Sequence, residues 1–543
     1  MADSTLSKIK HFLSGKTATV IILLLAIAGR IIQLIFLFNI RADRSHQMLA
    51  THSFVTGHGI SKAFTLPSNL SETIYVPLVN WPPGYSLLLS PFYILFNHNY
   101  IVAGLILDIL SAIALIYISR KILKALNIPV YQVNLFTLLS GFTLYSFFIK
   151  TSSDSIAIAF YLGALYITLQ LLKTKSLTWL QKSISLSIFL IASASMKFLY
   201  MPLIVIVPVF LILQGLANSN LILRKAGIVS LFIIGAGLAS LIFYQKSISG
   251  APAYIAQTEK GIFTENLRSA YPVFPAFFLS PETTGMLLRQ PYESRDFIYS
   301  SFQYMYVLFL LTIIPFGFWT IYKLGFRNKS EATNFFYILF FLFLATIILL
   351  SVLSLKYAKE FGIWTYIQEA RYYGLITILL QASVLVAYQH YKVKKNKLIR
   401  YIFYFFLALF LPEMFRGMLF AVNRIANSKK EIYTWQHDYK LQQFADEIIK
   451  RKQHDSPVGQ VILAGSSPYM NNRICLYSHI PLLNEVGRIN NLTSLNTKKS
   501  VLLLVALRED ARKDFLPFLS LPEKEEAGQF EGYYFYTVYV KPH

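Results

Sequence analysis

Apolar runs of about twenty residues recur along the first four-fifths of the chain, separated by short polar stretches. The runs are continuous rather than alternating, so they read as helices and not as the strands of a membrane barrel. At roughly 17–25 residues per crossing, about eleven spanning helices fit. They fall near residues 17–38, 100–119, 130–149, 156–172, 183–198, 199–214, 226–246, 302–322, 333–355, 372–391 and 400–420. The segment "GYSLLLSPFYILF" (84–96) is too short to cross and reads as re-entrant or surface-lying. The beginning of the chain imitates a signal peptide: Lys8, Lys10 and Lys16 precede "TATVIILLLAIAG". The apolar run resumes after Arg30 with "IIQLIFLF", so the whole stretch reads as a retained first span.

The pattern changes in the last fifth. "TWQHDYKLQQFADEIIKRKQ" has the period of an amphipathic helix. "QVILAG", "SVLLLVAL" and "GYYFYTVYVK" read as strands, and "ARKDFLPFL" as a further helix. The expectation is a transmembrane domain over 1–420, with long outer loops at 39–99 and 247–301, and a small soluble α/β domain over 421–543. No phosphate-binding glycine pattern stands in the latter; Gly465-Ser466-Ser467 reads only as a turn.

Composition agrees with a polytopic membrane protein. Of 543 residues, 55% are hydrophobic and 14% charged, where a soluble chain carries about a quarter charged. The net charge of +23 does not signal nucleic acid, because the cations gather in alternate loops. These are Arg120, Lys121 and Lys124; Lys173, Lys175 and Lys182; Arg224 and Lys225; Lys323, Arg327 and Lys329; and a cluster from Lys392 to Arg400. All five share the side of the N-terminus, which the distribution makes cytoplasmic. Loops 39–99, 150–155, 247–301 and 356–371, and the tail, then face outward. A single cysteine, Cys475, excludes an intrachain disulfide and a thiolate cluster.

Charged side chains on the outer face are the candidates for chemistry. In a helix over 42–56, Asp43, His46, Gln47 and Ala50 share a face, while Leu49, His52 and Val55 form a stripe able to lie on the membrane. Asp43 reads either as a partly desolvated general base or as a solvated loop carboxylate beside Arg41 or Arg44. Asp154, in the short turn "KTSSDS", reads as a site acid or as a helix cap. Lys197 in "SASMKFLYMP" and Arg371 in "IQEARYYG" stand at outer ends of spans, against the general trend. An anionic ligand such as a lipid phosphate accounts for them; so do snorkelling and a local Arg371–Glu369 pair. His46, His52 and His58 recur every six residues, which fits no zinc spacing. Trp81 and Tyr85, around the rigid Pro82-Pro83 pair, suit an interfacial belt.

Taken in order, these motifs resemble the GT-C superfamily of polytopic glycosyltransferases that use polyprenyl-phosphate sugars. The nearest likeness is to the protein O-mannosyltransferase and aminoarabinose-transferase branch. The resemblance runs over residues 17–420 and rests on "ADRSHQMLATHSFVTGHG", "WPPGYSLLLSPFYILF", "SSDS", "IASASMKFLYMP" and "EARYYG". It implies a mainly α, polytopic membrane helix bundle with an extracytoplasmic α/β domain at its C-terminal end, in a cell envelope or bacterial inner membrane. It also implies Asp43 as catalytic base, Asp154 as a second acidic site residue, and Lys197, Arg371 and Tyr372 as ligands of the donor phosphate. His46, Glu369 and Tyr85 are supporting candidates. Donor and acceptor are a polyprenyl-phosphate-linked sugar and a glycan, lipid or protein. No nucleotide or metal is called for, although some distant relatives use a divalent ion.

Two departures stand out. Relatives often carry tandem acids where this chain has Asp43-Arg44, and a lysine where Trp81 stands. A polysaccharide polymerase or ligase is a neighbouring reading. A secondary transporter is another, but it calls for internal repeats and midplane polar groups. No repeat is evident and the midplanes are mostly apolar, with Arg30 and Asp108 as exceptions.

Overall fold

The computed structural model describes residues 8, 10–40, 42–145, 152–173, 178–249, 308, 310–322, 330–352, 370–390, 397–427, 434–455, 458–484 and 486–542. Most of the expected outer loop 247–301, the loop carrying Glu369, and the cations Lys323, Arg327, Lys329, Lys392, Lys394 and Lys395 lie outside the described residues. The chain forms two compact units, one of residues 1–35 and 108–429, the other of 36–107 and 430–543. This differs from the division expected at residue 420, because the first outer loop groups with the tail.

In chain order the helices up to the tail are α1 (Lys16–Leu37), α2 (Ala42–Val55), α3 (Gly84–Leu95), α4 (Tyr100–Ala125), α5 (Val130–Phe142), α6 (Ser152–Leu172), α7 (Trp179–Met196), α8 (Ile206–Ala217), α9 (Leu221–Ser249), α10 (Leu310–Tyr322), α11 (Glu331–Val352), α12 (Gly374–His390) and α13 (Lys397–Ala426). A helix stands at each of the eleven expected spans. By length and composition, seven candidate spans are long and apolar enough to cross a membrane among the described residues. The sixth expected span is interrupted. Two 3-10 turns, Phe198–Tyr200 and Leu203–Val205, precede α8, where Pro202 removes a backbone donor. Large apolar side chains remain exposed along the bundle, among them Phe232, Phe243 and Leu419, as helices in lipid require.

Loops that the Lys and Arg pattern assigned to one side meet at one end of the first unit. Lys173 pairs with Glu331 at 2.9 Å and donates to the Ala125 carbonyl at 2.8 Å. His390 Nε2 lies 2.7 Å from the Leu126 carbonyl. Arg120 donates to Asn134 at 3.0 Å, and Asn134 donates to the Leu13 carbonyl at 2.7 Å.

The third expected span breaks inside the bundle. α5 ends at Phe142 and Thr143 is extended, so backbone groups lose their helical partners where no water replaces them. Side chains from two other helices take their place. Arg30 of α1 donates to the carbonyls of Ser140 and Thr143, and Gln33 donates to Phe142 at 2.9 Å. Glu413 of α13 accepts from the Leu144 N–H at 2.9 Å. Arg30, a charged exception in the apolar midplanes, thus serves the backbone break.

The second unit is built on a mixed sheet of seven strands in the order β2-β1-β4-β3-β5-β7-β6. The strands are β1 (Ser61–Leu66), β2 (Asn69–Pro77), β3 (Gln460–Gly465), β4 (Leu482–Leu483), β5 (Val501–Arg508), β6 (Glu525–Phe530) and β7 (Tyr533–Val540). β1 pairs in parallel with β4 through Phe64↔Leu482 and Thr65↔Leu483. The first outer loop therefore donates a hairpin to the sheet of the tail. α14 (Thr434–Asp455) and α15 (Pro468–Ser478) cover one face, where Leu441, Ala445, Ile448 and Ile474 meet Leu502 and Leu504. The other face packs Leu503, Val505 and Val538 under Ile489, Leu495 and Phe518. Because both faces are covered, β5 is buried from Val501 to Leu507 and shows no polar alternation.

α2 forms where expected, but it does not simply lie on lipid. Ser45, Gln47 and Thr51 are buried, Ser86 of α3 donates to the Gln47 carbonyl at 2.8 Å, and Leu49 packs against the core of the tail. Gly57 and Gly59, both at positive φ, turn the chain from α2 into β1.

Candidate active site

In the first unit, three remote sequence positions converge. Asp154 sits in the first turn of α6, where the helix dipole favours an anion. Only 2% of its surface is exposed. Lys197 follows α7 in an extended conformation, which turns its side chain away from the helix path. Its Nζ pairs with Asp154 Oδ1. Arg371, in the 3-10 turn Ala370–Tyr373 before α12, places Nη1 3.9 Å from Asp154 Oδ2. Tyr372 lies under both cations: Lys197 Nζ is 4.6 Å and Arg371 Cζ 5.1 Å from its ring centroid. Arg371 Nη2 also lies 3.4 Å from the Tyr372 hydroxyl.

Two cations, one carboxylate and an aromatic face in a mostly buried setting leave one excess positive charge among these described residues. A buried ion pair of this kind contributes little net stability by itself. It does hold donors in a fixed geometry where water is scarce, which is what a dianionic phosphate requires. Asp154 is therefore engaged with two cations rather than acting as a simple helix cap. Glu369, which the sequence offered as a local partner of Arg371, lies outside the described residues.

The other candidates belong to the second unit. Asp43 is half-buried in the first turn of α2. His46, one turn on, contacts Lys62 Nζ through Nδ1 and Asn472 Nδ2 through Nε2, both at 3.1 Å. Trp81 stacks on its ring at 4.6 Å. Burial, then Lys62, pushes the His46 pKa down to about 3, against the pull of Asp43. Tyr85 is fully buried in α3. His52 stacks at 4.1 Å on His479, the residue that caps the C-terminal end of α15, and its Nδ1 lies 3.0 Å from the Tyr93 hydroxyl. Among the described residues no group of three or more His, Cys, Asp or Glu could hold a metal ion.

Sequence reading missed Lys62 and Asn472. Their signal was faint: in "SKAFTL" Lys62, Phe64 and Leu66 alternate on one strand face. Asn472, the partner of Lys62, lies 410 residues further along the chain.

No protein-family model matches the sequence, and no curated protein matches it. Solved structures do. The oligosaccharyltransferase of Archaeoglobus fulgidus, in complex with zinc and sulfate, superposes with a TM-score of 0.52 at 12% identity, over 91% of this chain and 68% of its own. Its apo form gives 0.51 at 11% identity, over 92% and 71%. ArnT from Cupriavidus metallidurans, bound to undecaprenyl phosphate, aligns over 96% of this chain and 98% of its own at 11% identity and a TM-score of 0.44. At such identities the likeness shows the fold alone: the described chain has the polytopic architecture of that oligosaccharyltransferase.

Proposed function

We propose that the chain is a membrane glycosyltransferase that moves a sugar from a polyprenyl-phosphate carrier to an acceptor hydroxyl outside the cytoplasm. The observation that carries this reading is the buried Asp154, Lys197, Arg371 and Tyr372 cluster, set in a fold shared with an oligosaccharyltransferase. The donor's reacting bond joins an anomeric carbon to a phosphate. Cleaving it returns negative charge to the phosphate, and fixed cations in a poorly hydrated place stabilise that charge. Asp154 orients the two cations, and the Tyr372 ring adds a polarisable floor. The lipid tail keeps the donor in the bilayer.

Asp43 is the proposed general base. It takes the proton of the acceptor hydroxyl as that oxygen bonds to the anomeric carbon, and polyprenyl phosphate departs. Both nitrogens of His46 face Lys62 and Asn472, so His46 holds the neighbourhood of Asp43 rather than relaying its proton.

The test is transfer of labelled sugar from undecaprenyl-phosphate-linked donors in proteoliposomes. Asp43→Asn is expected to lower turnover by about 10²–10⁴-fold with donor KM little changed, whereas Lys197→Met and Arg371→Met raise donor KM and lower kcat together. Full transfer by Asp43→Asn would remove the base assignment.

A further inference from the structure

Lys62, His46 and Asn472 form a closed ring of contacts in the second unit. Lys62 Nζ lies 3.1 Å from His46 Nδ1 and 2.9 Å from Asn472 Oδ1. Asn472 Nδ2 lies 3.1 Å from His46 Nε2. Lys62 is 7% exposed and Asn472 fully buried, so no water shell replaces a lost partner. Each of the three contacts needs one hydrogen and one lone pair.

Counting them decides the protonation state. The amide presents an acceptor oxygen and a donor nitrogen, and a neutral imidazole has one N–H and one lone pair. With Asn472 Nδ2 donating to Nε2, the imidazole hydrogen sits on Nδ1 and points at Lys62. Lys62 must then accept there while donating to Asn472 Oδ1. An ammonium has no lone pair. With charged Lys62, His46 Nδ1 must accept and Nε2 carries the hydrogen, which meets the amide NH₂. Turning the amide over only moves the clash to Lys62. An imidazolium fares worse, since both its nitrogens donate.

We infer that Lys62, in the pH range where it has lost its proton, closes a hydrogen-bonded ring with His46 and Asn472 as an uncharged amine, and that the closed ring fixes α2, and with it Asp43, to β1 and α15. The inference rests on the proposed role of Asp43 only for its catalytic consequence. Lys62 and Asn472 are then positioning residues: they act through His46, one helical turn from the base.

The other groups facing this cluster are Asp43 on α2, the Cys475 thiol on α15, the Trp81 ring over His46, and the Phe64 ring 5.1 Å from Lys62 Nζ. Arg473 is the next residue of α15. Burial lowers the Lys62 pKa to about 8, with Cys475 opposing, while burial raises the Cys475 thiol to about 12. Lys62 is thus bound to a proton less readily in the folded chain than in the unfolded one. Stability from the ring is absent below about pH 8 and grows as pH rises from there toward the unfolded lysine value.

The experiment measures the unfolding midpoint of the full chain in detergent from pH 7 to pH 10, for wild type, Lys62→Met, Lys62→Arg and Asn472→Asp. Wild type is expected to gain several degrees over this range, and Lys62→Met to show no such gain. Lys62→Arg, which cannot lose its charge, should be the least stable at every pH. Asn472→Asp supplies a carboxylate that accepts from both Lys62 ammonium and His46 N–H, so its gain with pH should vanish or reverse. A Lys62→Arg chain as stable as wild type, or an Asn472→Asp chain with an unchanged pH slope, overturns the inference. None of these readouts uses catalysis. In the transfer assay Lys62→Met should lower kcat by about 10–100-fold with donor KM unchanged. Retained activity in Lys62→Arg beside a raised donor KM in Lys62→Met would instead make Lys62 a phosphate-binding cation. If the midpoints behave as expected while Asp43→Asn still transfers sugar, only the assignment of the base falls.

Discussion

Asp154 shows what one buried charge does when it faces two cations. Replacing it by Asn removes the carboxylate that Lys197 and Arg371 both face, and breaking a buried pair costs about 3–5 kcal/mol. The Asp154→Asn unfolding midpoint should therefore fall by many degrees, and adding Lys197→Met should restore part of it. An unchanged midpoint in Asp154→Asn would mean the cluster is well hydrated. His52 gives a pH prediction. Burial, then the nearby His479, His98 and His58, lowers its pKa to about 4. The unfolded chain then binds more protons between about pH 4 and the ordinary histidine value of about 6.5. Stability rises with pH through that window and is lost on acidification. His52→Gln should make the rise of the midpoint between about pH 4 and about 6.5 shallower, leaving the share that His46 contributes. The positions of Asp154, Lys197 and Arg371 at span ends were legible in the sequence, because charge at the lipid boundary calls for a partner. Which partner each would meet was not.

Helices and strands obeyed local rules wherever their partners were local or were lipid. α1, α4, α9 and α11 fall on continuous apolar runs, and hydropathy alone is enough to place such spans. The break after α5 is different. Nothing near Thr143 in sequence announces it; it persists because Arg30 and Glu413 arrive from α1 and α13 to satisfy the freed backbone. Gly417 allows that approach: a methyl group there would stand 1.5 Å from the Phe142 carbonyl oxygen. Gly417→Ala must push α13 off α5, at about 1–3 kcal/mol or more. The expected result is a lowered unfolding midpoint and poorer yield of folded protein in detergent. A midpoint equal to wild type would show that the two helices separate without cost.

At the scale of the whole chain, the sheet of the second unit constrains topology. β1 lies in the first outer loop and β4 in the tail, and they share one hydrogen-bonded ladder. Both segments must then lie on one side of the membrane, so the chain crosses an even number of times between them. The ten spans expected between residues 99 and 421 satisfy this. Single cysteines at the exposed positions Thr56 and Ser520 should react with a membrane-impermeant maleimide from the same side, while Cys475, 2% exposed, stays silent in folded protein. Labelling of the two positions from opposite sides would break the sheet as described.

The sequence by itself determined the membrane class and the helix positions, and it picked out the charges at span ends. These follow from solvent preference, which each residue carries wherever it stands. It also placed β3, β5 and β7, whose apolar runs are long enough to read alone. Only the tertiary structure decided that residues 61–77 form strands, since a hairpin with one half-exposed strand becomes a sheet edge only when β4 offers a ladder. Only the tertiary structure brought Lys197 and Arg371 onto one carboxylate, and closed His46, Lys62 and Asn472 into a ring. Hydrogen bonds and ion pairs act over a few ångströms and ignore separation along the chain, so composition and periodicity do not contain them.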